Sequence, residues 1–85
     1  MTVKNSTSKN VRPLFTIAAE IKKDWVNVNF GAKPYLNAMS TLSSIKDEYG
    51  LDSGSSIVAY FLANAGTWKG EKAREIKKEL NSMLK

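Results

Sequence analysis

The sequence predicts an all-α protein, a compact four-helix domain built around a buried third helix. Three observations carry that expectation. The longest apolar run in the 85 residues, Ser55 to Trp68 (SSIVAYFLANAGTW), is helical in its spacing and contains no charge. Three other stretches repeat apolar residues at intervals of three and four, the signature of amphipathic helices. The segments between them are short and marked by Gly or Pro, which favours close packing of neighbouring helices. The four helices are expected at about residues 13–25, 34–49, 53–65 and 68–84, in a single helical domain over 13–85.

Residues 1–12 are Thr, Ser, Asn and Lys with little apolar content, and Lys4, Lys9 and Arg12 are not balanced by any acid. They read as a disordered basic tail. The tail has no apolar stretch of the kind a secretory signal carries, so the chain is expected in the cytoplasm. Pro13 can serve as the first residue of a helix. From there Leu14, Ile17, Ala18, Ile21 and Trp25 share one face, with Phe15 at its edge. Residues 26–33 (VNVNFGAK) alternate like a strand, but a single short strand has no visible partner, and the segment is taken as a connector.

Pro34 opens the second helix. Tyr35, Ala38, Met39, Leu42, Ile45 and Tyr49 form its inner face, and Gly50 followed by Leu51 suits a Schellman-type end. Asp52 and Ser53 then offer caps for the central helix. In that helix Ile57, Val58, Phe61, Leu62 and Ala65 cover one broad face and Ala59 and Ala63 much of the rest, which implies neighbours on several sides. Gly66 suits a left-handed ending, and Thr67 can cap the last helix. Ala73, Ile76, Leu80, Met83 and Leu84 form the inner stripe of that helix.

Composition excludes several chemistries. The chain contains neither Cys nor His. Thiolate nucleophiles, disulfides, cysteine metal sites and the Ser-His and Cys-His arrangements are therefore ruled out. The acids are scattered, no glycine-rich phosphate loop is present, and Asp47, Glu48 and Asp52 lack the spacing of a calcium loop. An enzyme is not expected, nor any cofactor or metal. The apolar run is too short to span a bilayer, which takes about 20 residues.

Two surfaces remain as candidates. On the second helix, Leu36, Asn37, Ser40, Ser43 and Ser44, with Thr41, make an outward face without charge. Solvated helix faces usually carry Lys and Glu, so this one is a candidate protein contact. On the last helix, Arg74, Lys78 and Lys85 follow one flank with Lys77 nearby, and Glu71, Glu75 and Glu79 follow the other. This is either a stripe for a phosphate backbone, helped by the basic tail, or a solvated face with i,i+3 ion pairs. The second and third helices have the outline of a helix-turn-helix, but IVAYFLA has nothing with which to read bases. Trp25 and Trp68 stand at helix boundaries, where they read as core plugs closing the ends of the bundle.

Three segments together carry a resemblance: IAAEIKKDW (Ile17 to Trp25), FGAKPYLNAM (Phe30 to Met39) and YGLDSGSSIVAYFLANAGTWKGEKAREIKKEL (Tyr49 to Leu80). They resemble a family of small helical proteins from bacteriophages and other bacterial mobile elements. The likeness covers nearly all of residues 14–84 and excludes the first twelve. It implies a short accessory protein encoded by a phage or mobile element, and it carries over no functional residue. The expected function is a non-enzymatic interaction module that binds another protein. The alternative is nucleic-acid binding through Arg74, Lys77, Lys78, Lys85 and the tail. Self-association through the second helix is a third course.

Overall fold

A computed structural model describes residues 11–85, and most of the expected tail lies outside the described residues. Four helices are present among them: α1 (Leu14–Asp24), α2 (Lys33–Met39), α3 (Gly54–Ala63) and α4 (Glu71–Leu84). Between α2 and α3 runs a two-stranded antiparallel hairpin, β1 (Glu48–Tyr49) and β2 (Asp52–Ser53), paired Glu48 to Ser53 and Tyr49 to Asp52. The architecture is thus mostly helical rather than purely so. Helix α2 packs on both α1 and α3, and α4 closes the core against α1 and α3.

Helix α1 follows its expected stripe, burying Leu14, Ile17, Ala18 and Ile21, with Phe15 part-exposed at the edge. Pro13 is its N-cap rather than its first residue, in extended conformation. The first amides of a helix have no partner within it. Here the N–H of Leu14 donates to the Ser43 carbonyl at 3.1 Å and that of Phe15 to the Leu42 carbonyl at 2.9 Å. Backbone beyond α2 therefore caps α1.

That role is one reason the second helix is much shorter than the expected 34–49. It ends at Met39. The Ser40 and Thr41 hydroxyls bond back to the carbonyls of Leu36 and Ala38. Ser and Thr offer the backbone such alternatives to further helix. The amides of Ser43 and Ser44 both donate to the Asp47 carboxylate. Residues 40–47 become a set of turns instead of three further helical turns.

The chain then reverses in the hairpin. Gly50 has φ +64, the left-handed value expected of it, but it turns a two-residue loop rather than ending a helix. Leu51, expected to pack behind a helix end, is fully exposed at the tip. Tyr49 is likewise outside the core.

Ser53 caps α3 as expected, its hydroxyl accepting from the Ser56 amide at 3.1 Å. Gly54 is buried where α3 begins, against the backbone of Ser44 and Ile45. Helix α3 buries Ile57, Val58 and Phe61, with Ala65 beyond its end also in the core. Its other side departs from expectation, because Ala59, Tyr60 and Ala63 are exposed and Leu62 is only half-buried. Helix α3 is a wall of the core rather than a post enclosed on all sides.

Gly66 does not take a left-handed conformation, and Thr67 does not cap α4. The N-cap is Gly70, at φ +114. Trp25 and Trp68 behave as core plugs. Their rings stack at 5.6 Å, and each meets the Phe61 ring edge-on at 6.2 and 6.4 Å. The indole Nε1–H of Trp68 donates to Asp24 Oδ2 at 2.9 Å, which satisfies the polar edge of a buried ring.

Arg12, placed by sequence in the tail, is fixed. Its Nε and Nη2 donate to the two oxygens of Glu79 at 3.0 and 2.8 Å, and Nη1 donates to Glu20 at 2.6 Å. The fork ties the chain ahead of α1 to both α1 and α4. It holds the Glu20 carboxyl below its ordinary value, the hydrogen bond from Arg12 being the largest cause.

Candidate interaction surfaces

The five residues expected to form an uncharged contact on the second helix do not form one surface. Leu36 is 2% exposed and part of the core. The inner stripe was phased on a helix running to Tyr49. With α2 confined to 33–39, the buried set is Leu36, Ala38 and Met39, and Tyr35 turns half outward. Asn37 is exposed, but Ser40 is half-buried with its hydroxyl on the Leu36 carbonyl. Ser43 and Ser44 lie beyond α2, in the segment organised by Asp47.

The basic residues of α4 divide differently. Arg74, Lys78 and Lys85 are exposed and share one line of the helix, with Asn81 between. Lys77 is not part of that line. Its ammonium donates to the Trp68 carbonyl at 2.7 Å and lies 5.9 Å from the centre of the Trp68 ring. Desolvation, and secondarily the charge of Lys69, lowers its pKa. Lys77 is a clamp on the Trp68 turn, which corrects its assignment to a phosphate contact. On the acidic flank, Glu79 is held by Arg12, and Glu75 stands 4.0 Å from Lys72.

The surface without charge lies on α3 instead. Ser56, Ala59, Tyr60 and Ala63 follow one another at helical spacing along its outer side. Tyr60 is 47% exposed, and its ring meets that of Tyr35 from α2 at 5.3 Å. No Asp, Glu, Lys or Arg occurs between Ser53 and Trp68. The sequence did hold a sign of this face. The run is free of charge on every side, while the fold covers only its Ile57, Val58 and Phe61 side.

A cavity of about 380 Å³ opens between Val11, Leu14, Ile45, Lys46 and Met83. Its polar lining is Arg12, already engaged by Glu20 and Glu79, with Ser44 and Lys46, and this set pairs no acid with a base. Among the described residues, no three acids, the only ligand types this chain has, gather as a metal site, and no helix is long and apolar enough to cross a membrane.

Fold and surfaces together define a small, mostly helical domain with a hairpin inserted before its most apolar helix. No protein-family model matches the chain, and no curated protein or solved structure matches it either.

Proposed function

We propose that this chain is a non-enzymatic interaction module, an accessory protein of a phage or mobile element, that binds another protein through the outer side of α3. The observation that carries the reading is the charge-free line Ser56–Ala59–Tyr60–Ala63, exposed at all but the half-buried Ser56, with Tyr35 beside it. Small residues let a partner backbone approach closely. A part-exposed tyrosine supplies a rigid amphipathic anchor of the type that dominates binding energy at interfaces. Four of the acids make structural contacts. Glu20 and Glu79 hold Arg12, Asp24 holds Trp68, and Asp47 caps two amides.

The test is affinity capture from a bacterial lysate with wild type, Ala59→Arg and Arg74→Glu/Lys78→Glu compared side by side. All three positions are exposed, so the fold should survive. The reading expects a protein retained by wild type and by the α4 variant, and lost with Ala59→Arg. Retention by Ala59→Arg would overturn it.

A second reading, nucleic-acid binding, is favoured by the exposed line Arg74–Lys78–Lys85, beside which Glu79 is already neutralised by Arg12. It expects salt-sensitive binding of DNA or RNA that is weakened in Arg74→Glu/Lys78→Glu. No mobility shift at low salt would sink it.

A further inference from the structure

The three apolar residues with greatest exposure, Leu51, Phe30 and Val26, lie at two ends of the molecule. One group is on the hairpin: Leu51 at the tip is 105% exposed and Tyr49 46%. The other is on the connector between α1 and α2, where Phe30 is 91% and Val26 81% exposed. The two ends differ in charge. The hairpin carries Glu48 and Asp52, both exposed, with Lys46 two residues ahead. Asp47 beside them accepts from the Ser43 and Ser44 amides. The connector follows Lys22 and Lys23 and includes Lys33 at its end, all exposed, and the exposed Lys69 follows Trp68, whose ring is stacked on Trp25 where the connector begins. The acid at that end, Asp24, accepts from Trp68 Nε1.

Helix α3 separates the two. The hairpin runs into its N-terminus through Ser53. Gly31 of the connector lies against its C-cap, where a Cβ would meet Asn64 Oδ1 at 2.8 Å. Ten helical residues set the ends about 15 Å apart, too far for one to cover the other within a chain. An acidic tip with an apolar point and a basic edge with an apolar point are complementary only between molecules.

We infer that copies of this chain associate head to tail, the hairpin of one seated on the connector of the next. Leu51 packs with Phe30 and Val26, and Glu48 and Asp52 face the lysines around them. The contact is heterologous, so it makes chains or rings rather than a self-limiting pair. A hairpin tip on a loop buries less than a standard interface, so the association is weak and transient. Matched charges also make it sensitive to salt. It uses neither α3's outer side nor the stripe on α4, and it stands or falls apart from the protein contact proposed above.

Sedimentation equilibrium of the full chain tests it, with Leu51→Asp and Phe30→Asp as single-end variants. Both positions are open to solvent, and thermal melts confirm that each variant is folded. Wild type at low salt should rise in weight-average mass above the 9.4 kDa monomer as concentration increases, and fall back on adding salt. Each variant alone should remain monomeric. An equimolar mixture should form a pair and stop there, because Phe30→Asp keeps a working hairpin and Leu51→Asp a working connector. Ala59→Arg should associate like wild type. Wild type that stays monomeric at every concentration, association indifferent to salt, a variant that associates alone, or a mixture that fails to pair would each overturn the inference.

Discussion

Gly54 should be the most restrictive position in the chain for its size. It begins α3 with its amide donating to the Asp47 carbonyl at 2.6 Å, and the Ser55 amide donates to the Ile45 carbonyl at 2.9 Å. A Cβ built on Gly54 would stand 2.6 Å from the Ser44 carbonyl oxygen, 2.8 Å from Ile45 Cα and 2.9 Å from the Ile45 carbonyl carbon. All three are backbone atoms, so no side chain can swing aside. The methyl of Gly54→Ala must push α3 away from residues 44–47, stretching both hydrogen bonds and loosening the turns that cap α1. Overpacking of this kind costs about 1–3 kcal/mol. Better helix propensity of Ala returns up to about 1 kcal/mol. A net loss of about 1 kcal/mol lowers Tm by roughly 4–8 °C in a domain of this size. Circular dichroism melts of wild type and Gly54→Ala measure it, with Gly66→Ala as the control. Gly66 has open space around its Cβ position and no left-handed φ, so its replacement should be neutral or slightly stabilising. A Gly54→Ala protein melting within about 2 °C of wild type, a change too small for any overpacked contact, would refute the close approach of α3 to residues 44–47.

Three further outcomes follow from the ion cluster and the aromatic end. Arg12→Ala removes the fork that joins the N-terminal segment to α1 and α4. Since its partners are 25–38% exposed, about 1 kcal/mol is expected from denaturant titration, and Arg12→Lys should recover only part of it because an ammonium cannot make the fork. Glu20 has a lowered folded-state pKa, so its stabilising share is complete above the ordinary value of 4.5 and is lost as pH falls through the folded value. The difference in Tm between wild type and Glu20→Gln should therefore be fully present at about pH 6 and shrink as pH falls below the ordinary value of 4.5, and a gap that does not shrink in acid would contradict the pairing. Trp68→Phe keeps most of the apolar volume but loses the bond to Asp24 at 2.9 Å, and should cost about 1 kcal/mol in the same titration.

Helices α1 and α4 were legible in the sequence as elements and in their buried stripes, though α4 begins three residues later than expected, because each is a single amphipathic stripe against one core. The caps were less so. Ser53 was readable from its type, whereas the cap of α4 is Gly70, at φ +114, rather than Thr67. The second helix stops at Met39 although its apolar spacing continues to Tyr49. What stops it is only partly non-local. The carbonyls of Leu42 and Ser43 serve the N-terminus of α1, and the Asp47 carboxylate takes two amides the helix would have used. The hairpin follows from the same early stop, since Gly50 takes its expected left-handed turn inside a different element. The surfaces moved accordingly. Leu36 went into the core once α2 lost its outer turns, and Lys77 was drawn off the basic line by the Trp68 carbonyl. The missing charge that marks the outer face of the second helix in the sequence marks α3 more strongly, where the charge-free run is longest and the core covers only one side.

A photo-crosslinking residue placed in turn at Ala63, Asn37 and Lys78 tests most directly whether α3 is where the protein meets its partner. All three sites are exposed and lie on different helices. Irradiation in a bacterial lysate should give a discrete protein adduct from Ala63 and none from Asn37 or Lys78. An adduct with protein from Asn37 alone, or with nucleic acid from Lys78 alone, would contradict the assignment of function to the outer side of α3.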